Sequence, residues 1–439
     1  AYIPAAVAAG ASAVVCEDAS AVPAGVTWAR VADARTALGP LTQAACGWPG
    51  RKLVNLAVTG TNGKTTVAHL IRAVLASAEH RPALLGTVGH DVGDAPRDAA
   101  CTTPGPVELA ELMAEAVDAG RTHLVMEVSS HALDQRRTAG VDFAAAVFTN
   151  LSGDHLDYHG TMDAYAAAKA RLFAGLGPDA TAVLPRDEPW AGRVAADTSA
   201  RRLWYGLKGP ADLAGRIEHM DASGTDLALR WDGRAWPVHT RLIGEHNVRN
   251  VLAAAAAALA VGVGPEALAA ALADVSRVRG RLERIESEAG FDVFVDYAHT
   301  DDALANVLSA LRPLAAGRVL LVFGCGGDRD RTKRPRMACA AEAGADAVFL
   351  TSDNPRMEDP AAILAEVAAG FTPAGRRRVA VEPDRRAAIA AALDAAGDGD
   401  VVLIAGKGHE SYQILGRRRV HFDDAETAGE LLAARGARA

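Results

Sequence analysis

Short apolar runs alternate along the chain with longer segments in which large apolar residues recur every three or four positions. The short runs predict strands at residues 53–58, 123–128 and 144–149. The longer segments predict helices, among them residues 161–176 and an alanine-rich stretch at 247–261. Strands that alternate with helices are typical of a parallel sheet with helices on its faces, so the pattern predicts an α/β fold.

A second series of predicted strands begins after residues 279–284. Its members are residues 292–297, 318–323, 347–351, 378–381 and 400–405. Helical segments separate these strands, which predicts a second α/β unit. Upstream of it, residues 225–230 and 234–239 predict a hairpin that turns at Asp232-Gly233.

The beginning of the chain is unusual for a complete domain. Residues 2–10 predict a helix and residues 13–16 a strand, as in the middle of an α/β domain. A linker rich in Gly and Pro follows at residues 47–50. We therefore expect three regions. They are an incomplete N-terminal domain at 1–48, a central domain at 49–283 and a C-terminal domain at 284–439.

Composition narrows the class of protein. A chain of 439 residues is long enough for two or three domains, and its net charge of −8 argues against nucleic-acid binding. Its 5 cysteines form no C-x-x-C pair, which argues against a disulfide framework or a zinc site. Few cysteines suit a reducing compartment, so we expect a cytoplasmic protein. No apolar run reaches the ~20 residues that a membrane span needs.

A glycine-rich sequence, Gly60-Thr-Asn-Gly-Lys-Thr-Thr66, lies between a predicted strand and a predicted helix. A nucleotide-binding P-loop has this context, because its backbone N–H groups and the helix N-terminus face phosphate oxygens. Lys64 would reach the outer phosphates of ATP, and the Thr65 hydroxyl would bind Mg²⁺. The first glycine of the usual pattern is replaced by Val58. A simple glycine-rich turn is the alternative, but the order of strand, loop and helix favours nucleotide binding.

Acidic and histidine side chains follow two of the predicted strands. Glu127 stands at the end of an apolar strand, where a carboxylate near a P-loop is well placed to hold Mg²⁺. After the next strand, Asp154 and Asp157 share a loop with His155. A lone histidine is more often structural, but two neighbouring aspartates favour a metal role for His155.

Lys169 lies on the apolar face of the predicted helix at 161–176, four residues after Tyr165 and three before Leu172. Lysine is rarely buried without a partner. One interpretation is that its ammonium group extends to the surface. The other is that CO₂ converts the amine to a carbamate, which would be an anionic metal ligand.

These motifs, in this order, resemble those of the Mur ligases, in particular the type that adds diaminopimelate to a UDP-linked muramoyl dipeptide. In the first two regions the matching sequences are Gly60-Thr-Asn-Gly-Lys-Thr-Thr66, Thr102-Thr-Pro104, Glu127-Val-Ser-Ser-His-Ala-Leu133, Asp154-His-Leu-Asp-Tyr-His159, Ala168-Lys-Ala170 and His246-Asn247. In the last they are Asp296-Tyr-Ala-His-Thr300, Gly324-Cys-Gly-Gly-Asp-Arg-Asp330, Asp353-Asn-Pro-Arg356 and Gly406-Lys-Gly-His-Glu410. The resemblance covers nearly the whole chain.

The resemblance implies three domains, with a P-loop central domain and a Rossmann-like C-terminal domain. It implies that ATP phosphorylates the carboxylate of UDP-N-acetylmuramoyl-L-alanyl-D-glutamate, and that the amine of 2,6-diaminopimelate attacks the acyl phosphate. Catalysis would then consist largely of neutralising and positioning two anions, without a covalent enzyme nucleophile. We expect a monomer that spans no membrane.

The resemblance also implies residue roles. The metal ligands would be Thr65, Glu127, His155 and carbamylated Lys169, with Lys64, Glu127, His155 and Lys169 as catalytic residues. ATP would contact Gly60, Thr61, Asn62, Gly63, Lys64, Thr65 and Thr66, with Asn247 at the adenine, Asp296 at the ribose and Arg281 at the phosphates. The UDP-muramoyl dipeptide would contact Thr102, Thr103, Ser129, Gln135 and Arg137. Diaminopimelate would contact Arg329, Asp353, Asn354, Pro355, Arg356, Gly406 and Glu410.

The chain departs from the family pattern in three places. It lacks the family's opening segment, so we expect an incomplete uridine pocket and poor turnover of the UDP substrate. Residue 101 is Cys where Asn is common, and residue 301 is Asp where Pro usually follows His-Thr. Neither substitution removes an expected charge or metal ligand.

Several alternatives remain open from sequence. The nearest are a lysine-adding relative and a folylpolyglutamate-type ligase, against both of which Asp353-Asn-Pro-Arg356 argues. A nucleotide-binding fragment without turnover and a P-loop switch protein belong to other classes. Phosphate release that requires all three substrates would distinguish an enzyme from a binding module. The stereochemistry of the diaminopimelate is not encoded in any motif.

Overall fold

The structure, a computed structural model, describes residues 2–275 and 278–436. The N-terminal segment contains a small parallel pair of strands. Its elements are helix α1 (Ile3–Ala8), strands β1 (Ala13–Cys16) and β2 (Thr27–Arg30), helix α2 (Ala34–Ala45) and 3-10 turns at Ala19–Ala21 and Pro49–Lys52. The predicted helix and the predicted strand are both present in this segment.

A ten-stranded sheet fills the next part of the chain. Its strands are β3 (Val54–Thr59), β4 (Pro82–Leu85), β5 (His90–Asp91), β6 (His123–Glu127), β7 (Ala145–Phe148), β8 (Thr181–Pro185), β9 (Arg201–Gly206), β10 (Leu213–Asp221), β11 (Gly224–Trp231) and β12 (Arg234–Thr240). The accompanying helices are α3 (Lys64–Ser77), α4 (Pro106–Asp118), α5 (Ser130–Asp134), α6 (Leu156–His159), α7 (Met162–Ala174), α8 (Ala191–Val194), α9 (Glu245–Ala260) and α10 (Pro265–Asp274).

The strand order is β12-β11-β10-β9-β8-β7-β3-β6-β4-β5. Strand β3 pairs in parallel with β6 on one side and β7 on the other. Their carboxyl ends therefore meet at one edge, where open α/β sheets bind their ligands. The predicted hairpin is confirmed as β11 and β12, and its turn residues Asp232 and Gly233 both have positive φ, as a type I′ turn requires.

A six-stranded sheet follows, in the order β13-β14-β18-β15-β16-β17. Its strands are β13 (Glu283–Ile285), β14 (Asp292–Asp296), β15 (Val319–Phe323), β16 (Ala347–Leu350), β17 (Val379–Val381) and β18 (Val401–Ala405), and a separate hairpin joins β19 (Tyr412–Leu415) to β20 (Arg418–His421). The helices are α11 (Asp301–Leu311), α12 (Lys333–Gly344), α13 (Pro360–Ala368), α14 (Arg385–Ala395) and α15 (Asp424–Gly436), with a 3-10 turn at Gly375–Arg378. All five strands predicted after residue 284 are present.

Hydrophobic cores cover both faces of each large sheet. Helix α9 is buried along most of its length because its small alanines allow it to pack closely against the sheet and α3. Across the described residues, no helix combines the length and apolarity needed to cross a membrane. The five cysteines are free thiols.

Candidate active site

The phosphate loop connects β3 to α3, and two of its glycines have backbone angles that favour glycine. Gly60 has φ 153° and Gly63 has φ 84°. A Cβ at Gly60 would lie 1.8 Å from Thr149 Oγ1, and one at Gly63 would lie 2.3 Å from Asn250 Oδ1. The loop thus needs glycine both for its turn and for close approach to its neighbours.

Residues that follow β7 hold this loop from the side. The Asn150 carbonyl accepts a hydrogen bond from Thr61 N at 2.9 Å, and Asn150 Oδ1 accepts one from Asn62 N at 2.9 Å. Lys64 Nζ donates to the carbonyls of Gly60 at 3.1 Å and Thr61 at 2.8 Å. The first turn of α3 begins at Lys64, so its free N–H groups and its dipole can receive an anion.

We predict that Gly63→Ala weakens ATP use more than backbone strain alone explains. The new methyl group would meet both an unfavourable φ and the Asn250 side chain, so the loop must move. We expect the KM for ATP to rise at least about 10-fold, equivalent to ~1.4 kcal/mol. Gly262→Ala is a matched control, because Gly262 has φ 90° and nothing within 4 Å of an added Cβ. An equal KM for ATP in the two variants would contradict a role for the close packing.

Glu127, the last residue of the neighbouring strand β6, contacts the helix residue that follows the phosphate loop. Its buried carboxylate accepts hydrogen bonds from Thr65 Oγ1 at 2.9 Å, Thr87 N at 2.8 Å and Thr87 Oγ1 at 3.1 Å. Arg281 approaches from the other sheet and donates to Thr65 Oγ1 at 3.1 Å. The hydroxyl and carboxylate that sequence assigned to one metal ion are therefore in direct contact.

The oxygen atoms at Thr65 and Glu127 suit Mg²⁺. This ion commonly takes one or two protein oxygens and completes its shell with waters and substrate phosphates. Within residues 2–275 and 278–436, no three His, Cys, Asp or Glu side chains converge to form a metal site on their own.

His155 begins the short helix α6 with a left-handed φ of 55°. Its Nε2 lies 3.4 Å from Asp154 Oδ2, and its ring packs edge-on against His131 with centroids 4.8 Å apart. Burial lowers the pKa of His155 to about 4. The imidazole is then neutral at pH 7, the state in which histidine can bind a metal.

Lys169 is buried on α7, as its place on the apolar stripe predicted, and it does not extend to the surface. Its Nζ donates to the Gly60 carbonyl at 2.8 Å and lies 4.4 Å from the centroid of the Tyr165 ring. Burial, and then the nearby charge of Lys64, lower the pKa of Lys169 well below its ordinary value. A neutral amine is the form that can react with CO₂.

A cavity of about 460 Å³ opens above the phosphate loop, between the two large sheets. It brings together Thr61, Asn62, Gly63, Lys64, Thr65, Thr66, Thr102, Glu127, Ser129, His155, Asn247, Arg281 and Asp296. Asn247 donates to the Ile243 carbonyl at 2.9 Å. The Asp296 carboxylate accepts hydrogen bonds from Leu282 N and Ala298 N, each at 2.7 Å, so it also fixes the segment that carries Arg281.

The residues expected at the UDP-muramoyl dipeptide lie around β6. Thr103 is buried, donates to the Glu127 carbonyl at 2.9 Å and accepts from Ser129 N at 3.0 Å. Arg137 donates to Gln135 Oε1 at 2.7 Å and to the Thr103 carbonyl at 2.8 Å. Gln135 and Arg137 line a separate cavity of about 320 Å³.

The residues expected at diaminopimelate form a third group, at the carboxyl ends of β16 and β18. This group includes Asp353, Asn354, Gly406 and Glu410. Asn354 Nδ2 donates to Glu410 Oε2 at 2.8 Å. The Asn354 Oδ1 atom accepts from Ile414 N at 2.9 Å, which attaches the β19–β20 hairpin to this group. These residues do not line the cavity above the phosphate loop.

Arg356 extends from the same turn, directly after Pro355. Its backbone exchanges hydrogen bonds with Ile414 O at 3.0 Å and Gly416 N at 2.8 Å, and its φ is 51°. One guanidinium nitrogen donates to the Gly327 carbonyl at 2.8 Å. Arg329 is exposed and lies nearby, since its Cγ and the Arg356 guanidinium both approach Gly326.

Three further residues are part of these sites but were not predicted. Thr87 donates twice to Glu127. Asp302, on α11, accepts from Asn62 Nδ2 at 2.9 Å and so links the second sheet to the phosphate loop. Lys407 lies between Asp353 and Glu410. Of these, only Lys407 had a signal in the sequence, a lysine between glycines directly after an apolar strand.

Comparisons with known proteins agree with this arrangement. Residues 58–258 match the model of the Mur ligase middle domain, and residues 280–408 match that of the Mur ligase glutamate ligase domain. A relative from Geobacter metallireducens is named UDP-N-acetylmuramoyl-L-alanyl-D-glutamate–2,6-diaminopimelate ligase. The two sequences are 44% identical over 437 residues, 95% of this chain and 86% of the relative.

Solved structures show the same fold. One titled as a UDP-N-acetylmuramoyl-L-alanyl-D-glutamate–2,6-diaminopimelate ligase superposes with a TM-score of 0.70 at 36% identity, over 99% of this chain and 89% of the other. A folylpolyglutamate synthase from Mycobacterium tuberculosis gives a TM-score of 0.68 at 22% identity, over 91% of this chain and 94% of the other. At that identity the second likeness concerns the fold alone.

Proposed function

Since the chain belongs to the Mur ligase family, we propose that it is an ATP-dependent ligase that joins 2,6-diaminopimelate to UDP-N-acetylmuramoyl-L-alanyl-D-glutamate. The observation that carries the proposal is the presence, in one chain, of a phosphate loop closed by Glu127 and a polar group built from Asp353-Asn-Pro-Arg356 and Glu410. The relatives that carry this activity in their names support it. The free cysteines suit the cytoplasm, where we place the reaction.

ATP would occupy the cavity above the phosphate loop. The loop N–H groups and Lys64 would hold the phosphates, Asn247 the adenine, Asp296 the ribose and Arg281 the phosphates from the opposite side. Thr65 and Glu127 would hold Mg²⁺, and His155 with a carbamylated Lys169 would hold a second ion. Mg²⁺ supplies neutralisation of phosphate charge in such reactions.

The chemistry proposed for this site is acyl phosphate formation followed by amide formation. The dipeptide carboxylate attacks the γ-phosphorus of ATP, and ADP leaves. The amine of diaminopimelate then attacks the acyl carbon, phosphate leaves, and a proton is lost from the nitrogen. Lys64 and Arg281 would face the transferred group, and Thr102, Thr103, Ser129, Gln135 and Arg137 would hold the UDP substrate, so the protein mainly positions and neutralises anions.

The test of this function is phosphate release by the purified full chain. We expect release only when ATP, UDP-N-acetylmuramoyl-L-alanyl-D-glutamate and diaminopimelate are all present, together with a product whose mass matches the new amide. Lysine in place of diaminopimelate tests the lysine-adding alternative. Release that is independent of either acceptor would reject the proposed reaction.

We predict that Arg356→Ala raises the KM for diaminopimelate at least about 30-fold, because losing one partner of a desolvated charge pair costs roughly 2–5 kcal/mol. Diaminopimelate differs from lysine by a carboxylate at the far end of its side chain, and a guanidinium group matches that carboxylate with two hydrogen bonds. The KM for ATP should hardly change, since Arg356 does not line the cavity above the phosphate loop.

Arg418→Ala is the control, because Arg418 is exposed on the β19–β20 hairpin, to which the Arg356 backbone is hydrogen-bonded. Steady-state KM values for diaminopimelate and lysine provide the measurement. If Arg356→Ala kept the full preference for diaminopimelate, Arg356 would not determine specificity, and Arg329 would be the next residue to test.

A further inference from the structure

Lys407 is fully buried in the group that contains Asp353 and Glu410, with 0% of its residue surface exposed. Its Nζ lies 3.2 Å from Glu410 Oε2 and 3.6 Å from Asp353 Oδ1. The Asn354 side-chain oxygen lies 3.5 Å away. A buried lysine is rare unless it is paired, and this one contacts two carboxylates at once.

The carboxylates of Glu410 and Asp353 differ in the hydrogen bonds that they accept. Glu410 accepts a hydrogen bond from Asn354 Nδ2 at 2.8 Å as well as from Lys407. Asp353 Oδ1 is buried and has no hydrogen-bond partner among the described residues. An unsatisfied buried carboxylate oxygen is costly, and the Lys407 ammonium 3.6 Å away offsets part of that cost.

Lys407 offsets part of the negative charge of this group. Asp353 and Glu410 bring two carboxylates, and the Lys407 ammonium lies between them. The far end of diaminopimelate carries one ammonium and one carboxylate, and is neutral overall. The far end of lysine carries the ammonium alone and is positive. Less negative charge around this end therefore favours diaminopimelate, whereas more negative charge favours lysine.

We propose that Lys407 is a positioning residue that determines specificity, because it offsets the charge of the two carboxylates and holds Glu410 and Asn354 in place for the zwitterionic end of the amino acid. The inference rests on the proposed function and deepens it. Lys407 has no exposed surface for the ligand, so it acts through Glu410, Asn354 and Asp353. Its effect on specificity is therefore separate from that of Arg356.

Lys407→Gln tests the role of the charge, because glutamine can still donate a hydrogen bond to Glu410 but carries no charge. We expect the KM for diaminopimelate to rise at least about 10-fold, or ~1.4 kcal/mol, while the KM for ATP changes less than about 2-fold. The preference for diaminopimelate over lysine should narrow by a similar factor. Lys52→Gln is the control, since Lys52 is exposed and lines no cavity described above.

The pH dependence separates a charge effect from a loss of structure. Burial raises the pKa of Glu410, whose charged and titratable neighbours are Lys407, Asp353, Arg385, Tyr297 and Tyr412. Removing Lys407 takes away the largest influence that opposes this rise and leaves the smaller one, the hydrogen bond from Asn354. Glu410 then takes up a proton at a higher pH than in the unaltered protein, which removes the additional negative charge. We expect the KM defect of Lys407→Gln to shrink as the pH falls through the range in which Glu410 is protonated.

Lys407→Arg keeps the positive charge while it changes the shape of the side chain. We expect it to retain the preference for diaminopimelate that Lys407→Gln loses, and its KM for diaminopimelate to depend on pH no more than that of the unaltered protein. Thermal unfolding measured on the same samples identifies a misfolded variant. If Lys407→Gln folds poorly, Lys407→Arg provides the test, because it keeps the charge and should then keep both the fold and the preference for diaminopimelate.

The inference is overturned if Lys407→Gln retains its preference for diaminopimelate over lysine, or if its KM defect does not change as the pH is lowered. It is also overturned if Lys407→Arg loses the preference to the same extent as Lys407→Gln. These results are distinct from failure of the proposed function, which would appear as an absence of diaminopimelate-dependent phosphate release by the unaltered protein.

Discussion

Lys64→Ala should abolish ATP-dependent ligation while the fold survives. The Lys64 ammonium now donates to the carbonyls of Gly60 and Thr61, at the N-terminus of α3, and would turn toward the outer phosphates of ATP. Removing one preorganised group that stabilises developing charge costs about 10²–10³-fold in rate. Because Lys64 would act in nucleotide binding as well, we expect phosphate release to fall by at least about 10³-fold.

The measurement is phosphate release with all three substrates present, accompanied by circular dichroism and thermal unfolding. Lys64→Arg is an informative companion, since it retains the charge in a larger group. If the circular dichroism spectrum of Lys64→Ala differed from that of the unaltered protein, the loss of phosphate release would reflect a change in structure. Phosphate release at the normal rate from Lys64→Ala would rule out the assignment of this loop to the nucleotide.

Lys169→Ala should be nearly inactive for a different reason. We predict that the buried amine reacts with CO₂ to form a carbamate, with a new N–C bond and loss of a proton, so that the side chain becomes an anion near the phosphate loop. The low pKa of the amine supplies the neutral nucleophile, and Lys64 supplies a cation nearby. We expect at least about a 10²-fold loss in kcat, the range for removal of one preorganised electrostatic group.

Rescue of Lys169→Ala by a small carboxylate tests directly whether residue 169 acts as an anion. Alanine at residue 169 leaves space beside Tyr165 and the Gly60 carbonyl, which acetate can fill, so we expect partial recovery of phosphate release. Lys169→Met fills the same space with an apolar group and should show no recovery. If acetate did not restore phosphate release by Lys169→Ala, and ¹³C-bicarbonate gave no carbamate signal with the unaltered protein, Lys169 would act as an amine.

Much of the local structure could be read from the sequence because it depends on near neighbours. Strand β1 spans Ala13–Cys16, as the apolar run predicted, and the hairpin turns at Asp232-Gly233 because both residues tolerate positive φ. Helix α7 presents Lys169 and Tyr165 on one face because its turn is 3.6 residues. The α/β Mur ligase fold predicted from the motifs is confirmed by the family and structural matches.

The sequence also indicated the chemistry of the phosphate loop, since the glycines, the lysine and the threonine are consecutive. It could not show that Thr87 also binds Glu127 or that Asp302 reaches Asn62, because these contacts join residues far apart in the chain. The site roles inferred from the resemblance stay predictions until the variants are measured.

Three features were decided only by the tertiary structure. Within the sheet, β3 lies between β6 and β7. The order of strands along the chain does not specify which of them become neighbours. Arg356 has a φ of 51°, held by hydrogen bonds to the β19–β20 hairpin, whereas the sequence indicated only that a proline precedes it. Lys407 became a buried cation because folding surrounded it with two carboxylates, and burial is a property of the packed chain.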